Sequence, residues 1–456
     1  MAVDWADWSS GVDLHLDLPA GDRRAGIERA LRAAVRSGRL TPGSRLPATR
    51  TLAAELGVAR GTVAAAYDQL VAEGYLTART GSGTTVARVP PATPAPAAPS
   101  ATPLPRFDLR PGSPDVAAFP TAAWLRATRR ALSRTPAAAY DYGDPRGRPE
   151  LRAALAEYLG RARGVLAHPD RIVVTSGYVQ ALSLLAGLHP VVAMEDPGLA
   201  FHREVARRAG ARVVPLEVDA QGARTDLLGS TVDAVVLTPA HQFPTGVTLA
   251  PERRRAVAAW ARDALVVEDD YDGEFRYDRQ PVGAVQGMAP EHVAYVGTAA
   301  KTLGPGLRLG WVVLPERLVE PVVEAKRHID VHTEVIGQLT LAEMITSHAY
   351  DRHVRTARTR YRARRDLLLA RLRGAPVGGI AAGLHALVSL PPGGPCEADV
   401  LAEAARRGLA LGDLASHWHA PDDDHPQGVI VGYGTPGESS YPAALDVLAR
   451  TLRSVS

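Results

Sequence analysis

Residues 295–311 read Tyr295-Val-Gly-Thr298-Ala-Ala-Lys301-Thr-Leu-Gly-Pro-Gly-Leu-Arg308-Leu-Gly-Trp311. The opening predicts a strand, and the small residues and Gly-Pro-Gly that follow predict a loop carrying Lys301. An amine among small neighbours can be desolvated, which lowers its pKa and makes it a nucleophile toward an aldehyde. Composition sharpens the point, because Lys301 and Lys326 are the only lysines among 52 basic residues. A guanidinium is never deprotonated in proteins, so a lysine kept in an arginine-rich chain suits amine chemistry.

Upstream, Glu268-Asp269-Asp270-Tyr271 follows the apolar Leu265-Val-Val, so carboxylates and a phenol emerge together at a strand end. Arg171-Ile-Val-Val-Thr175, Val191-Val-Ala-Met194, Arg212-Val-Val-Pro-Leu216 and Ala234-Val-Val-Leu237 are further β-branched runs between amphipathic stretches. This alternation predicts an α/β domain with a mostly parallel sheet, with ligands beyond the carboxyl ends of the strands. A pyridoxal cofactor needs such an array: an amine for its aldehyde, a carboxylate for the pyridine nitrogen, a phenol for the ring oxygen, and donors around the phosphate. Thr298 and Arg308 are suited to the last of these.

The chain has 456 residues, 46% hydrophobic and 22% charged, which predicts at least two domains. A net charge of +3 identifies no partner by itself. The first residues lack a basic and then apolar leader, and no stretch approaches the roughly 20 apolar residues of a membrane span. A soluble, cytoplasmic protein is expected. The single cysteine, Cys396, excludes intramolecular disulfides and multi-cysteine metal sites. Cys396, Lys326, His417 and His419 are read as structural residues, and no metal is expected.

Residues 90–105 are a proline/alanine run without charge, which as polyproline II spans roughly 50 Å at most. The predicted domains are therefore 1–88 and 107–456, joined by a linker at 89–106. In the first, ten arginines between Arg23 and Arg79 face four acidic residues, so positive charge concentrates there. Helical periodicity at Ile27, Leu31, Ala34 and Val35, helices at about 49–56 and 60–72 around Gly57, and a hairpin with Gly81 and Gly83 at its tip outline a winged helix-turn-helix. The plain alternative is a solvated helical hairpin. In the winged reading, Arg60, Gly61 and Thr62 at the start of the second of these helices meet base edges or a phosphate, with Arg50 and Arg79 on phosphates or a groove.

The string from Gly38 to Ala87 resembles the DNA-binding domain of GntR-type bacterial regulators, and residues 107–456 resemble fold-type I aminotransferases. The whole chain resembles the MocR family of GntR-type regulators, with an N-terminal winged helix-turn-helix and a C-terminal pyridoxal-phosphate-dependent transferase fold that ends in a smaller α+β subdomain. The resemblance implies pyridoxal 5'-phosphate bound as an aldimine on Lys301. It matches Asp269 to the pyridine-nitrogen partner, with Asp270 as an alternative one residue away, and Tyr271 to the ring hydroxyl. Thr175-Ser-Gly177-Tyr178-Val179 matches the phosphate loop, with Thr298 and Arg308 as further phosphate contacts. Tyr142 matches the residue lent to the partner subunit's phosphate. Thr238-Pro-Ala-His241-Gln242-Phe-Pro-Thr-Gly246 is close to the MocR signature and places His241 and Gln242 near the ring oxygen.

Four departures from the pattern bear on function. Ala59 and Gly61 flank Arg60 where relatives carry a serine and a polar residue. Leu199 stands where relatives stack a tyrosine on the ring, so that either the ring is clamped more weakly or Phe201 compensates. Phe243 replaces an asparagine, and Ile430 stands where amino-acid transaminases hold the substrate carboxylate with arginine. An aliphatic side chain offers no bidentate fork. The expected function is thus a homodimeric DNA-binding regulator that senses pyridoxal phosphate and controls vitamin B6 synthesis genes, without physiological turnover. The alternatives are a catalytic aminotransferase, a regulator sensing an amino-acid-like effector, and a dimerisation scaffold with a vestigial site.

Overall fold

The computed structural model describes residues 22–79, 83–89, 104–277, 282–420, 422 and 424–455. The chain falls into two compact units, residues 1–102 and 103–456. Gly81 and residues 90–103 of the proline/alanine run lie outside the described residues.

In the first unit, α1 (Arg23–Arg36), α2 (Thr49–Leu56) and α3 (Arg60–Ala72) precede an antiparallel hairpin of β1 (Leu76–Arg79) and β2 (Gly83–Val86). The Asp22 carboxylate starts α1 by accepting the N–H groups of Arg24 and Ala25 at 3.1 and 3.3 Å. Gly57 ends α2 at φ 61°, a left-handed conformation that suits glycine, and turns the chain into α3. Ile27, Leu31, Leu52, Val63 and Leu70 are each at most 1% exposed and form the centre of one core. The hairpin gains a third edge, since Leu46 N–H donates to Thr84 O and Val86 N–H to Ser44 O. The result is a winged helix-turn-helix.

The second unit begins with β3 (Phe107–Asp108), α4 (Thr121–Leu132) and α5 (Pro149–Arg163). Its main sheet comprises β4 (Ile172–Thr175), β5 (Val191–Asp196), β6 (Arg212–Asp219), β7 (Gly222–Ala223), β8 (Ala234–Leu237), β9 (Leu265–Asp270), β10 (Val293–Thr298) and β11 (Gly310–Val313). Their spatial order is β4-β11-β10-β9-β8-β5-β6-β7. From β10 to β6 neighbours run parallel, whereas β11 is antiparallel to both its neighbours and β7 to β6. Strands β4, β8, β9, β10 and β11 are buried at every residue, which is why they read as apolar runs rather than alternating ones, except that β9 ends in the buried carboxylates Glu268, Asp269 and Asp270.

A smaller antiparallel sheet of β12 (His385–Ser389), β14 (Gly412–Asp413) and β15 (Gly428–Gly432) follows, and β13 (Leu409–Ala410) pairs with β3. Helices Glu397–Arg406 and Tyr441–Val455 close its core through Val400 and Leu445. In the main sheet the shared strand direction brings the ends of β5, β8, β9 and β10 to one edge. Thr175 at the end of β4 and Gly310 at the start of β11 pair there too.

Leu31→Ala removes a side chain that is 1% exposed. The expected cost is about 2–5 kcal/mol, seen in calorimetry as a lower transition for the first unit alone. A shift of both transitions would mean that the two units unfold together.

Candidate functional site

The carboxyl edge of the main sheet borders a cavity of about 490 Å³. Lys301, Asp269, Tyr271, Gly177, Tyr178, Val179, Thr298 and Arg308 line it, brought together from three separate stretches of the chain. Lys301 extends from the loop after β10, and its ammonium donates to the carbonyl of Gly112. Desolvation holds the Lys301 amine below the usual lysine range, against the opposing pull of Asp272 and Asp269. Part of the amine is therefore more readily available as the neutral nucleophile.

Asp269 and Asp270 are adjacent in β9 and so face opposite sides of the sheet. Asp270 is spent on structure: its carboxylate accepts from Arg163 at 2.6 and 3.1 Å and from the Tyr295 hydroxyl at 2.7 Å. Asp269 faces the cavity, and its Oδ1 is buried without a hydrogen-bond partner. Burial pushes the Asp269 carboxyl well above the usual range, with Asp270 and Asp272 adding to the shift while Tyr178 and Lys301 oppose it. A protonated ring nitrogen would supply the missing partner and counter-charge. The fold thus separates two carboxylates that sequence alone left as alternatives.

At the other end, Gly177 caps α6 (Tyr178–Ala186) at φ 89°. A Cβ there would come within 3.2 Å of the Arg308 guanidinium, which itself donates to Ser176 O. Thr298 Oγ1 donates to Leu309 O at 3.2 Å and accepts the N–H of Ala300 at 3.1 Å. The first-turn N–H groups of α6, an arginine and a hydroxyl form a cradle for a dianion. An orphaned carboxylate at one end and this cradle at the other fit a pyridoxal phosphate.

Other expectations need correction. The Gln242 amide is fully used by Glu195, the carbonyls of Pro197 and Phe243, and Thr245, so it braces its own loop and faces no ligand. His241 lies outside the cavity lining: Asp272 Oδ2 is 2.9 Å from its Nδ1, and its carbonyl accepts from the Tyr271 hydroxyl at 3.0 Å. His241 and Asp272 therefore brace the phenol from behind. With His385 they form a buried group whose donor atoms lie within 4.8 Å of one another and could hold a metal ion, a cluster that no local spacing in the sequence announces. Phe201 is 59% exposed and does not replace the missing tyrosine. The ring beside the cavity belongs to His202, 4.5 Å from Tyr178, and burial drives its pKa down to about 3. His417, read as structural, also lines the cavity, together with Phe243 and His385. Tyr142 is 84% exposed and lies outside the lining within one chain.

On the first unit, Arg50, Arg60, Gly61, Arg79 and Gly83 are exposed, and Thr62 is half-buried. Ala59 precedes α3 without a side-chain cap, leaving the helix N-terminus open to an anion. Among the described residues, Arg50, Arg60 and Arg79 form no ion pair, whereas Arg24 and Arg32 are tied to Glu28 and Glu73. Arg45, which sequence reading passed over, lies along the wing, within 3.0 Å of where a Cβ on Gly83 would stand.

Ile430 does not line the cavity. It is fully buried with Leu387 and Leu414, and Phe243 packs against this cluster. Ile430→Arg alone would bury a charge in an apolar cluster, so destabilisation on the order of several kcal/mol is expected rather than a new carboxylate site. Thermal unfolding and amino-acid titration of the variant check this; tight amino-acid binding at wild-type stability would contradict it.

Residues 108–406 match the family described as aminotransferase class I and II, and residues 23–86 match bacterial regulatory proteins of the gntR family. Among curated proteins, the chain is 32% identical over 91% of its length to an HTH-type pyridoxine biosynthesis transcriptional regulator of Corynebacterium glutamicum, covering 92% of that protein. It is 34% identical to a probable rhizopine catabolism regulatory protein, MocR, of Rhizobium meliloti, covering 88% of each. Among solved structures, a Pyrococcus horikoshii kynurenine aminotransferase superposes with a TM-score of 0.69 at 26% identity, covering 76% of this chain and 90% of that one. Thermus thermophilus aspartate aminotransferase with maleate gives 0.67 at 27% identity, covering 76% and 92%. With a gntR-type reader followed by a class I and II aminotransferase domain, and relatives of the same build over nine-tenths of its length, this chain belongs to the MocR family of GntR-type transcriptional regulators.

Proposed function

We propose that this regulator senses pyridoxal 5'-phosphate itself and controls genes of vitamin B6 synthesis from the cytoplasm. The observation that carries the reading is the pairing of an orphaned, buried Asp269 carboxylate with Lys301 and the α6 cradle in one cavity. Lys301 is the amine that takes the cofactor's aldehyde, Asp269 holds its ring nitrogen, and Tyr271 stands at its ring oxygen. Gly177, Tyr178, Val179, Thr298 and Arg308 hold its phosphate. When bound, the group supplies an electrophilic carbon that an incoming amine can exchange onto. The buried Ile430 cluster, with no arginine in it, favours sensing over amino-acid turnover.

In the same reading, Arg60, Gly61 and Thr62 enter a groove of double-stranded DNA, while Arg45, Arg50, Arg79 and the wing glycines Gly81 and Gly83 hold the backbone. Exposed Val116, Leu125, Tyr140, Tyr142, Ile329 and Ile336 on the second unit support a homodimer, in which Tyr142 reaches the partner's phosphate site. Ligand acts only by distinguishing two arrangements of reader and body, because equal affinity for both shifts nothing. A second reading, an amino-acid-like effector, is favoured by Arg110 at the cavity wall. That guanidinium is already committed to Asp108 at 2.6 and 3.0 Å.

The test is fluorescence anisotropy of the gene's own upstream DNA at fixed salt, with and without pyridoxal phosphate, in wild type and Lys301→Ala. A cofactor-dependent change in affinity that vanishes in the variant is expected. Cofactor binding without any effect on DNA affinity would instead require a second, amine-bearing effector. The two aspartates should also separate. Asp269→Asn should weaken cofactor binding in an absorbance titration with little change in unfolding temperature. Asp270→Asn, which leaves Arg163 buried without its counter-charge, should cost about 3–5 kcal/mol of stability.

A further inference from the structure

The second lysine of the chain is as distinctive as the first. Lys326 sits in the helix Glu316–Asp330, fully buried, and its ammonium lies 2.6 and 2.8 Å from the two carboxylate oxygens of Asp330. Asp330 Oδ2 also accepts from the Gln180 amide nitrogen at 2.8 Å. The Gln180 amide oxygen in turn accepts the backbone N–H of Ser176 at 2.8 Å. Ser176 is the residue whose carbonyl accepts from Arg308 on its other side. A continuous set of hydrogen bonds therefore runs from Lys326 to the loop at the start of α6.

The direction of this relay follows from donor and acceptor capacity. A carboxylate can only accept, so Asp330 must take the NH2 end of Gln180, which leaves the amide oxygen for Ser176. Lys326 donates to both Asp330 carboxylate oxygens and so fixes the carboxylate where the Gln180 amide meets it. Gly177 at the N-cap has no side chain to hold the loop, and Gln180 reaches back from the first turn to do so. The free first-turn N–H groups of Gly177, Tyr178 and Val179 keep their places only while Ser176 is held.

We propose that Lys326 is a positioning residue for the phosphate cradle, acting through Asp330 and Gln180. This rests on the reading of the cavity as a pyridoxal phosphate site. Both lysines of the chain then serve one ligand, Lys301 at its aldehyde and Lys326 behind its phosphate.

The experiment compares pyridoxal phosphate with pyridoxal, which has the same aldehyde and ring but no phosphate, by absorbance titration of the full-length protein. Wild type, Lys326→Met and Gln180→Leu are measured. The second variant cuts the relay while leaving the Lys326–Asp330 pair intact, so it carries the test if Lys326→Met folds poorly. Each variant is expected to lose roughly tenfold in affinity for pyridoxal phosphate, the worth of one hydrogen bond in a charged network, with pyridoxal affinity within about twofold of wild type. Equal losses for both ligands would reduce the relay to general structural support and overturn the proposal, as would no loss for either. Wild type that binds neither ligand would overturn the cofactor reading and this inference together.

Discussion

Two neighbouring carboxylates buried at the end of β9 impose the central constraint on the large unit. A protein interior tolerates a charge only when it is paired. Strand geometry sends Asp269 and Asp270 to opposite faces, and the fold treats them differently. Asp270 receives Arg163 from α5 and the Tyr295 hydroxyl from β10, which ties the helix layer to the centre of the sheet. Asp269 receives nothing at Oδ1 and faces the cavity. One carboxylate therefore closes the architecture, and the other is left for a ligand.

The surroundings follow from that division. The parallel strands bring Thr175, Asp269, Thr298 and the Lys301 loop to one edge, where α6 also begins. Lys301 is desolvated there and stands near Asp269 and Asp272, which moderate the loss of its proton affinity. Behind Tyr271, the Asp272–His241 pair fixes the phenol, and behind the Ser176 loop, Asp330 and Gln180 fix the backbone. Ile430 sits outside the cavity lining in an apolar cluster against which Phe243 packs.

Much of this was legible beforehand for identifiable reasons. The helix-turn-helix rests on local signals, namely a left-handed Gly57, an apolar stripe and a concentration of arginines, and local signals survive folding. Lys301, Asp269, Tyr271 and the Gly177 loop were legible because a resemblance to a known family carried their order and spacing. Gln242 misled because its motif places it beside the site, while its hydrogen bonds, visible only in three dimensions, are already spent on the loop. Phe201 misled for a related reason: one step along the helix Ala200–Arg208 turns a side chain by about a third of a revolution, which puts His202 rather than Phe201 at the cavity.

By itself, the sequence determined the two-part build, the class of each fold and the chemical inventory at the strand ends, because these depend on periodicity, turn residues and residue type. Only the tertiary structure decided which carboxylate faces the cavity and that Ile430 lies beneath Phe243. It alone linked Lys326, in the helix Glu316–Asp330, through Asp330 and Gln180 to the backbone of Ser176. Such choices depend on which partners packing brings within about 3 Å of one another, and residues far apart in the chain meet at that distance only after the sheet and its helices have assembled.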